Sequence, residues 1–158
     1  MFAAGSDKIR VGVIGCGARG TGAAMDCVRS SPGVEIVALG DVFEDRVNGC
    51  LAWLKDNANW KGRGSAEAVT ATRASCFTGF DAFRRVMASD VHLVILAGPP
   101  HFRPAQLKAA VEAGKNVFME KPVAVDPVGI RSVMESSKLA AEKGVAIVAG
   151  TQRRHENS

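Results

Sequence analysis

Residues Val11 to Gly20 read Val-Gly-Val-Ile-Gly-Cys-Gly-Ala-Arg-Gly, a β-branched run that passes directly into Gly15-x-Gly17-x-x-Gly20 and then into an amphipathic stretch. A strand, a tight turn and a helix in immediate succession leave the chain few choices. The helix must fold back onto its own strand, which makes a βαβ unit and a parallel sheet the expected outcome. Each glycine has a separate mechanical task. Gly15 permits the tight turn, Gly17 lets the backbone approach a pyrophosphate, and Gly20 lets the helix lie close to the strand, while the free N–H groups of the first helical turn supply partial positive charge. With Cys16, Ala18 and Arg19 between them, the three glycines form the expected cradle of a dinucleotide site.

The rest of the chain repeats the alternation. Nearly continuous apolar runs at Ile9–Ile14, Val34–Leu39, Val91–Ala97, Asn116–Met119 and Val145–Ala149, with a weaker run around Cys76 and Phe77, predict strands covered on both faces. Helices are predicted over Arg19–Ser30, Glu44–Asp56, Phe80–Ala88, Arg103–Ala113 and Pro127–Lys143. Pro32-Gly33, Gly114 and Gly144 fall where helices should stop, and Asp126 before Pro127 reads as an N-cap. Six strands with five intervening helices match an α/β doubly wound parallel sheet, a Rossmann fold with strand order 3-2-1-4-5-6, in a single domain. The stretch from Ala58 to Ser75 has no firm period and reads as a loop carrying the basic residues Lys61, Arg63 and Arg73.

The 158 residues suit one domain, and no apolar stretch approaches the roughly 20 residues of a membrane span. The net charge of +4 is scattered and there is no Tyr to help build a stacking platform, so neither nucleic acid nor membrane is expected as a partner. The four cysteines Cys16, Cys27, Cys50 and Cys76 form no CxxC pair and no zinc-ligand spacing, so no metal site is expected.

An acidic residue at the end of the second strand, about 20 residues beyond the glycines, completes the dinucleotide fingerprint by holding the adenosine ribose hydroxyls. Asp41 stands there. Its carboxylate would accept from a free ribose diol and repel a 2'-phosphate, so NAD is expected over NADP, with Arg46 as the rival phosphate partner. A methyltransferase binding S-adenosylmethionine also pairs a glycine loop with an acid after the second strand, but those enzymes carry an acidic residue just ahead of the first glycine. Val13 and Ile14 occupy those places here.

Two later segments, Leu96-Ala97-Gly98-Pro99-Pro100-His101-Phe102 and Phe118-Met119-Glu120-Lys121-Pro122, close the fourth and fifth strands at the carboxyl ends, where ligands of open α/β sheets bind. Glu120-Lys121-Pro122 after a strand, in company with the glycine turn, resembles the glucose-fructose oxidoreductase and inositol dehydrogenase family (Gfo/Idh/MocA). Gly150-Thr151-Gln152-Arg153-Arg154-His155 is similar to the family segment that enters the second domain. The resemblance implies that Lys121 lies beside nicotinamide and substrate as the catalytic candidate and that the Lys121–Pro122 bond is cis. It also implies that Glu120 places the nicotinamide ribose, and that Pro99 and His101 line the cofactor cleft, His101 being a second catalytic candidate.

The domain limits expected are a flexible lead-in at 1–7, a dinucleotide-binding domain at 8–150, and at 151–158 the start of a linker to a substrate domain. The resemblance further implies a homo-oligomeric parent acting on a sugar, polyol or related carbonyl compound. Two other functions stay open: the cofactor domain of a redox-neutral, NAD-dependent glycoside hydrolase, and a module that binds dinucleotide without catalysis. The chain as given reads as cytoplasmic. Met1 to Gly5, however, has the small-residue character of the tail of a twin-arginine leader, which would place the parent in the periplasm.

Overall fold

The computed structural model describes residues 8–151. The expectations placed on 1–7 and on Gln152–Ser158, including the leader tail and Arg153, Arg154 and His155, lie outside the described residues. Along the chain run β1 (Ile9–Ile14), α1 (Ala18–Ser30), β2 (Val34–Asp41), α2 (Glu44–Lys55), β3 (Cys76–Thr78), α3 (Ala82–Ala88), β4 (Leu93–Leu96), α4 (Arg103–Glu112), β5 (Asn116–Glu120), α5 (Pro127–Lys143) and β6 (Ile147–Gly150). The strands form one six-stranded sheet of order β3-β2-β1-β4-β5-β6, every neighbouring pair parallel. The order reverses between β1 and β4, so the glycine turn after β1 and the loop after β4 open side by side.

Alternation along β1 sorts its side chains to two cores. Val11 and Val13 meet Ala24 and Val28 of α1 and Val47 and Leu54 of α2 on one face. Ile14 belongs to the opposite layer, with Val86 of α3, Leu107 and Val111 of α4 and Val133 of α5. On α4, Leu107, Ala110 and Val111 are fully buried and form the stripe that faces the sheet. Asp126 caps α5 by accepting from Gly129 N–H at 2.6 Å, and Gly144 ends that helix at φ +66°.

Two expectations need correction. The segment before β3 is more than a loop: it makes three short 3-10 turns, buries Ala66, Val69 and Ala71, and pairs Val69 with Ile36 in a parallel bridge. The backbone pairing, together with the apolar side chains it carries inward, holds this stretch against β2. Coverage on both faces also fails at β6, where Val148 is 56% exposed because α1 and α2 lie over the other half of the sheet.

Candidate dinucleotide-binding site

Gly15 adopts φ +96° and its N–H donates to Gly40 O at 2.8 Å, which pins the turn to the end of β2. A Cβ on Gly15 would sit 2.3 Å from Gly98 N, and one on Gly20 would sit 1.7 Å from Gly15 O. Both positions are therefore filled by backbone. At Gly17 the same test meets nothing within 4 Å. Gly17 is the N-cap of α1, whose first turn carries neither a side-chain cap nor an acidic residue. The first-turn N–H groups of Ala18, Arg19 and Gly20 thus have no intrahelical acceptor and lie beside open space, the arrangement that suits a pyrophosphate.

Asp41, the last residue of β2, is held on both carboxylate oxygens: Oδ2 accepts from Cys16 N–H at 2.7 Å and Oδ1 from Phe43 N–H at 3.1 Å. The acid expected to hold a ribose also ties the glycine turn to β2. The side chain of Cys16 points into the core, its thiol 3.5 Å from Gly40 O, so Cys16 can serve a cofactor only through its backbone. Contact with Cys50 and burial push that thiol up from its ordinary value and keep it neutral.

From this turn a cleft of about 460 Å³ runs past Asp41 between Phe43, Phe80, Pro99 and Phe102, with Gln106 in its wall. Pro99 lines the cleft as expected; Phe43, Phe80, Phe102 and Gln106 went unremarked in the sequence because they come singly from the start of α2, the loop before α3 and the first turns of α4. Space at Gly17, an uncapped helix start, an acid at the ribose position and a flat apolar slot beyond it together fit a dinucleotide.

The remaining candidates gather at the carboxyl end of β5 and the start of α4. Glu120 is 4% exposed and accepts from Arg19 Nε at 2.7 Å, with an Arg19 terminal nitrogen on the same oxygen. Lys121 is exposed and the Lys121–Pro122 peptide is cis. His101 is exposed, its ring edge-on to Phe102 at 5.3 Å, while Phe102 takes the N-cap position of α4. Neither Lys121 nor His101 lines the 460 Å³ cleft, which belongs to the glycine-turn half of the site.

Arg103 is the residue that sequence reasoning missed most completely. An arginine before a proline at a helix start looks like a surface group, yet Arg103 is 2% exposed. It donates to Gly98 O in the loop after β4 and to Pro122 O in the loop after β5, tying together the two loops that carry Pro99 and Lys121. Burial pushes its guanidinium down, opposed by the nearby Glu120 carboxylate.

His92 plays a structural part: it accepts Arg10 N–H at 3.3 Å and packs its other ring nitrogen 2.7 Å from the Arg10 guanidinium. Among the described residues the four cysteines are free, no group of His, Cys, Asp and Glu could hold a metal ion, and no helix is long and apolar enough to cross a membrane.

The profile of the oxidoreductase family with an NAD-binding Rossmann fold, Gfo/Idh/MocA, matches residues 9–151. The chain belongs to this family. An inositol 2-dehydrogenase of Cereibacter sphaeroides is 34% identical over 148 residues, covering 94% of this chain and 38% of its own length. A glycosyl hydrolase family 109 protein of Solibacter usitatus is 35% identical over 116 residues, 73% of this chain and 24% of that protein. The crystal structure of scyllo-inositol dehydrogenase from Lactobacillus casei, with bound NAD(H) and scyllo-inositol, superposes with a TM-score of 0.70 at 22% identity, over 95% of this chain and 38% of that one. This Gfo/Idh/MocA chain thus spans well under half the length of these relatives and corresponds to their NAD-binding Rossmann portion.

Proposed function

We propose that the chain is the cofactor half of an NAD-dependent oxidoreductase that acts on a secondary hydroxyl of a sugar or polyol, with the inositols of several relatives as a chemical precedent. The observation that carries this reading is the meeting of two segments at the carboxyl ends of the strands: the glycine turn, from which the cleft runs past Asp41, and the end of β5, whose Glu120 is bonded by Arg19 of that turn. N–H groups at the start of α1 would hold the pyrophosphate, Asp41 the adenosine ribose, and Glu120 the nicotinamide ribose. The chemistry that the dinucleotide supplies when bound is acceptance of hydride from carbon. Lys121 orients the substrate hydroxyl and stabilises the oxygen as its proton departs, because an ammonium beside a developing alkoxide lowers that state's energy. His101, exposed at the start of α4, is the second candidate for contact with substrate.

NAD is preferred over NADP because a 2'-phosphate would meet the Asp41 carboxylate, which two backbone N–H groups keep in place. The isolated chain binds cofactor without turnover, and substrate recognition and assembly of the parent into a homo-oligomer belong to sequence beyond this domain. A second reading is favoured by the likeness to the glycosyl hydrolase family 109 protein: a redox-neutral hydrolase that retains its NAD. Turnover of the full-length parent, followed at 340 nm, separates the two. Net NADH formation with myo-inositol or another polyol supports the dehydrogenase; glycoside cleavage without net NADH supports the hydrolase, and absence of NAD binding by this chain overturns both.

A further inference from the structure

Gln106 lies in the first turns of α4 with its side chain in the cleft wall. Its Oε1 is buried, accepts no hydrogen bond among the described residues, and lies 4.0 Å from the point where a Cβ on Gly98 would stand. An amide oxygen withdrawn from water ordinarily has a donor in exchange. Of the side chains lining the cleft, Val42, Phe43, Phe80 and Phe102 are apolar and Arg46 pairs with Asp45, while Arg103 Nε, likewise buried and without a partner among the described residues, makes no bond to it. Once a pyrophosphate lies over the start of α1 and a ribose meets Asp41, the compartment left for the base is this apolar slot. A purine slides between such walls as a flat apolar slab, and its edge groups are what a lone amide can distinguish.

We propose that Gln106 reads the base of the cofactor, its Oε1 accepting from the exocyclic amino group of adenine, so that the domain selects 6-amino over 6-oxo purine dinucleotides. This rests on the dinucleotide reading above. Adenine presents an N6 donor beside the N7 acceptor, the pattern a glutamine amide meets with two bonds, whereas a 6-oxo purine presents two acceptors there. A turned-over glutamine can still donate to the 6-oxo oxygen but forfeits the pair. A glutamate at 106 keeps acceptors and has no donor to offer.

The test is calorimetric titration of the chain with NAD and with nicotinamide hypoxanthine dinucleotide, on wild type, Gln106→Leu and Gln106→Glu. Loss of one paired hydrogen bond corresponds to roughly a five- to tenfold preference for NAD in the wild type. Gln106→Leu should bring that ratio to about one, and Gln106→Glu should widen it. If the wild-type ratio is one, or if a folded Gln106→Leu keeps the wild-type ratio, the role of Gln106 is overturned while dinucleotide binding stands. Should the leucine variant fail to fold, a ratio that narrows in Gln106→Glu overturns the proposal by itself. Binding of neither dinucleotide by the wild type would sink the cofactor reading as well.

Discussion

Arg19 and Glu120, separated by 101 positions, form an ion pair that joins the glycine turn of β1 to the end of β5, with the carboxylate buried and the guanidinium half exposed. Removing the arginine would strand a buried charge, but solvent reaches the site from the arginine side. Arg19→Met should therefore cost about 1–2 kcal/mol, below the 3–5 of a fully buried pair. Glu120→Gln removes the charge along with its need for a partner and should cost less. Urea unfolding of the two variants checks this; a larger loss from Glu120→Gln would reverse the assignment.

Asp41 carries two jobs, and they separate by measurement. Asp41→Ala should narrow the NAD preference over NADP and, by releasing Cys16 N–H and Phe43 N–H, also lower the melting temperature by a few degrees. Asp41→Asn keeps an acceptor and removes the charge, so it should narrow the preference with a smaller thermal loss. Calorimetry that shows NADP binding as tightly as NAD in the wild type would end the selectivity argument.

Gly17 and Gly20 should part company when substituted. Gly17→Val places its Cβ in open space beside the first turn of α1, with its methyls where a pyrophosphate would lie, and should abolish dinucleotide binding with little loss of stability. Gly20→Ala drives a methyl to 1.7 Å from Gly15 O and should cost several kcal/mol, or prevent folding. Circular dichroism and NAD titration on the pair decide the matter; a folded Gly17→Val that binds NAD with wild-type affinity would put the cofactor elsewhere.

Lys121 is exposed and lies outside the 460 Å³ cleft, so its ammonium is free to act on a reacting oxygen without anchoring the cofactor. In the full-length enzyme Lys121→Ala should lower kcat by roughly a hundredfold or more, in line with loss of a general acid–base or alkoxide-stabilising group. In this domain the same change should leave the Kd for NAD within about twofold. A crippled Kd with normal kcat at saturating NAD would make Lys121 an anchor.

Arg103 links the loops after β4 and β5 through carbonyls that no aliphatic side chain could satisfy. Arg103→Met should destabilise the fold by about 2–4 kcal/mol, because two carbonyls lose their donors. Arg103→Lys retains a charge without the fork and should recover only part of that loss. Amide hydrogen exchange should quicken in both loops in either variant; unchanged protection at 98–103 and 120–124 would show that the loops are held by something else.

The sheet and most helices were legible because their signals are local: β-branched runs, glycine turns and an Asp-Pro helix start sit within a few residues of one another. The same holds for the places of the glycine turn, Asp41 and Glu120-Lys121-Pro122 at the ends of β1, β2 and β5, which contiguous sequence marks. Val69 illustrates what was not legible. Its place against Ile36 depends on a parallel bridge between distant segments, and no periodicity within Ala58–Ser75 announces it. Phe43, Phe80, Phe102 and Gln106 converge only once α2, α3 and α4 are in place. Arg103 is illegible for a third reason: its polarity predicts exposure, while its five donors let it be buried wherever carbonyls happen to meet.

Val148, 56% exposed on the last strand of the sheet, has a consequence that is colloidal and not catalytic. On that side of β5 and β6 an apolar face borders a strand edge that pairs with no further strand among the described residues, the combination that recruits other chains. Concentrated stocks of this domain should therefore self-associate with a second-order dependence on protein concentration, scarcely affected by saturating NAD because the crevice and the face are separate. Val148→Lys, which adds to a net charge already at +4, would be the first change to make in any preparation meant for long titrations.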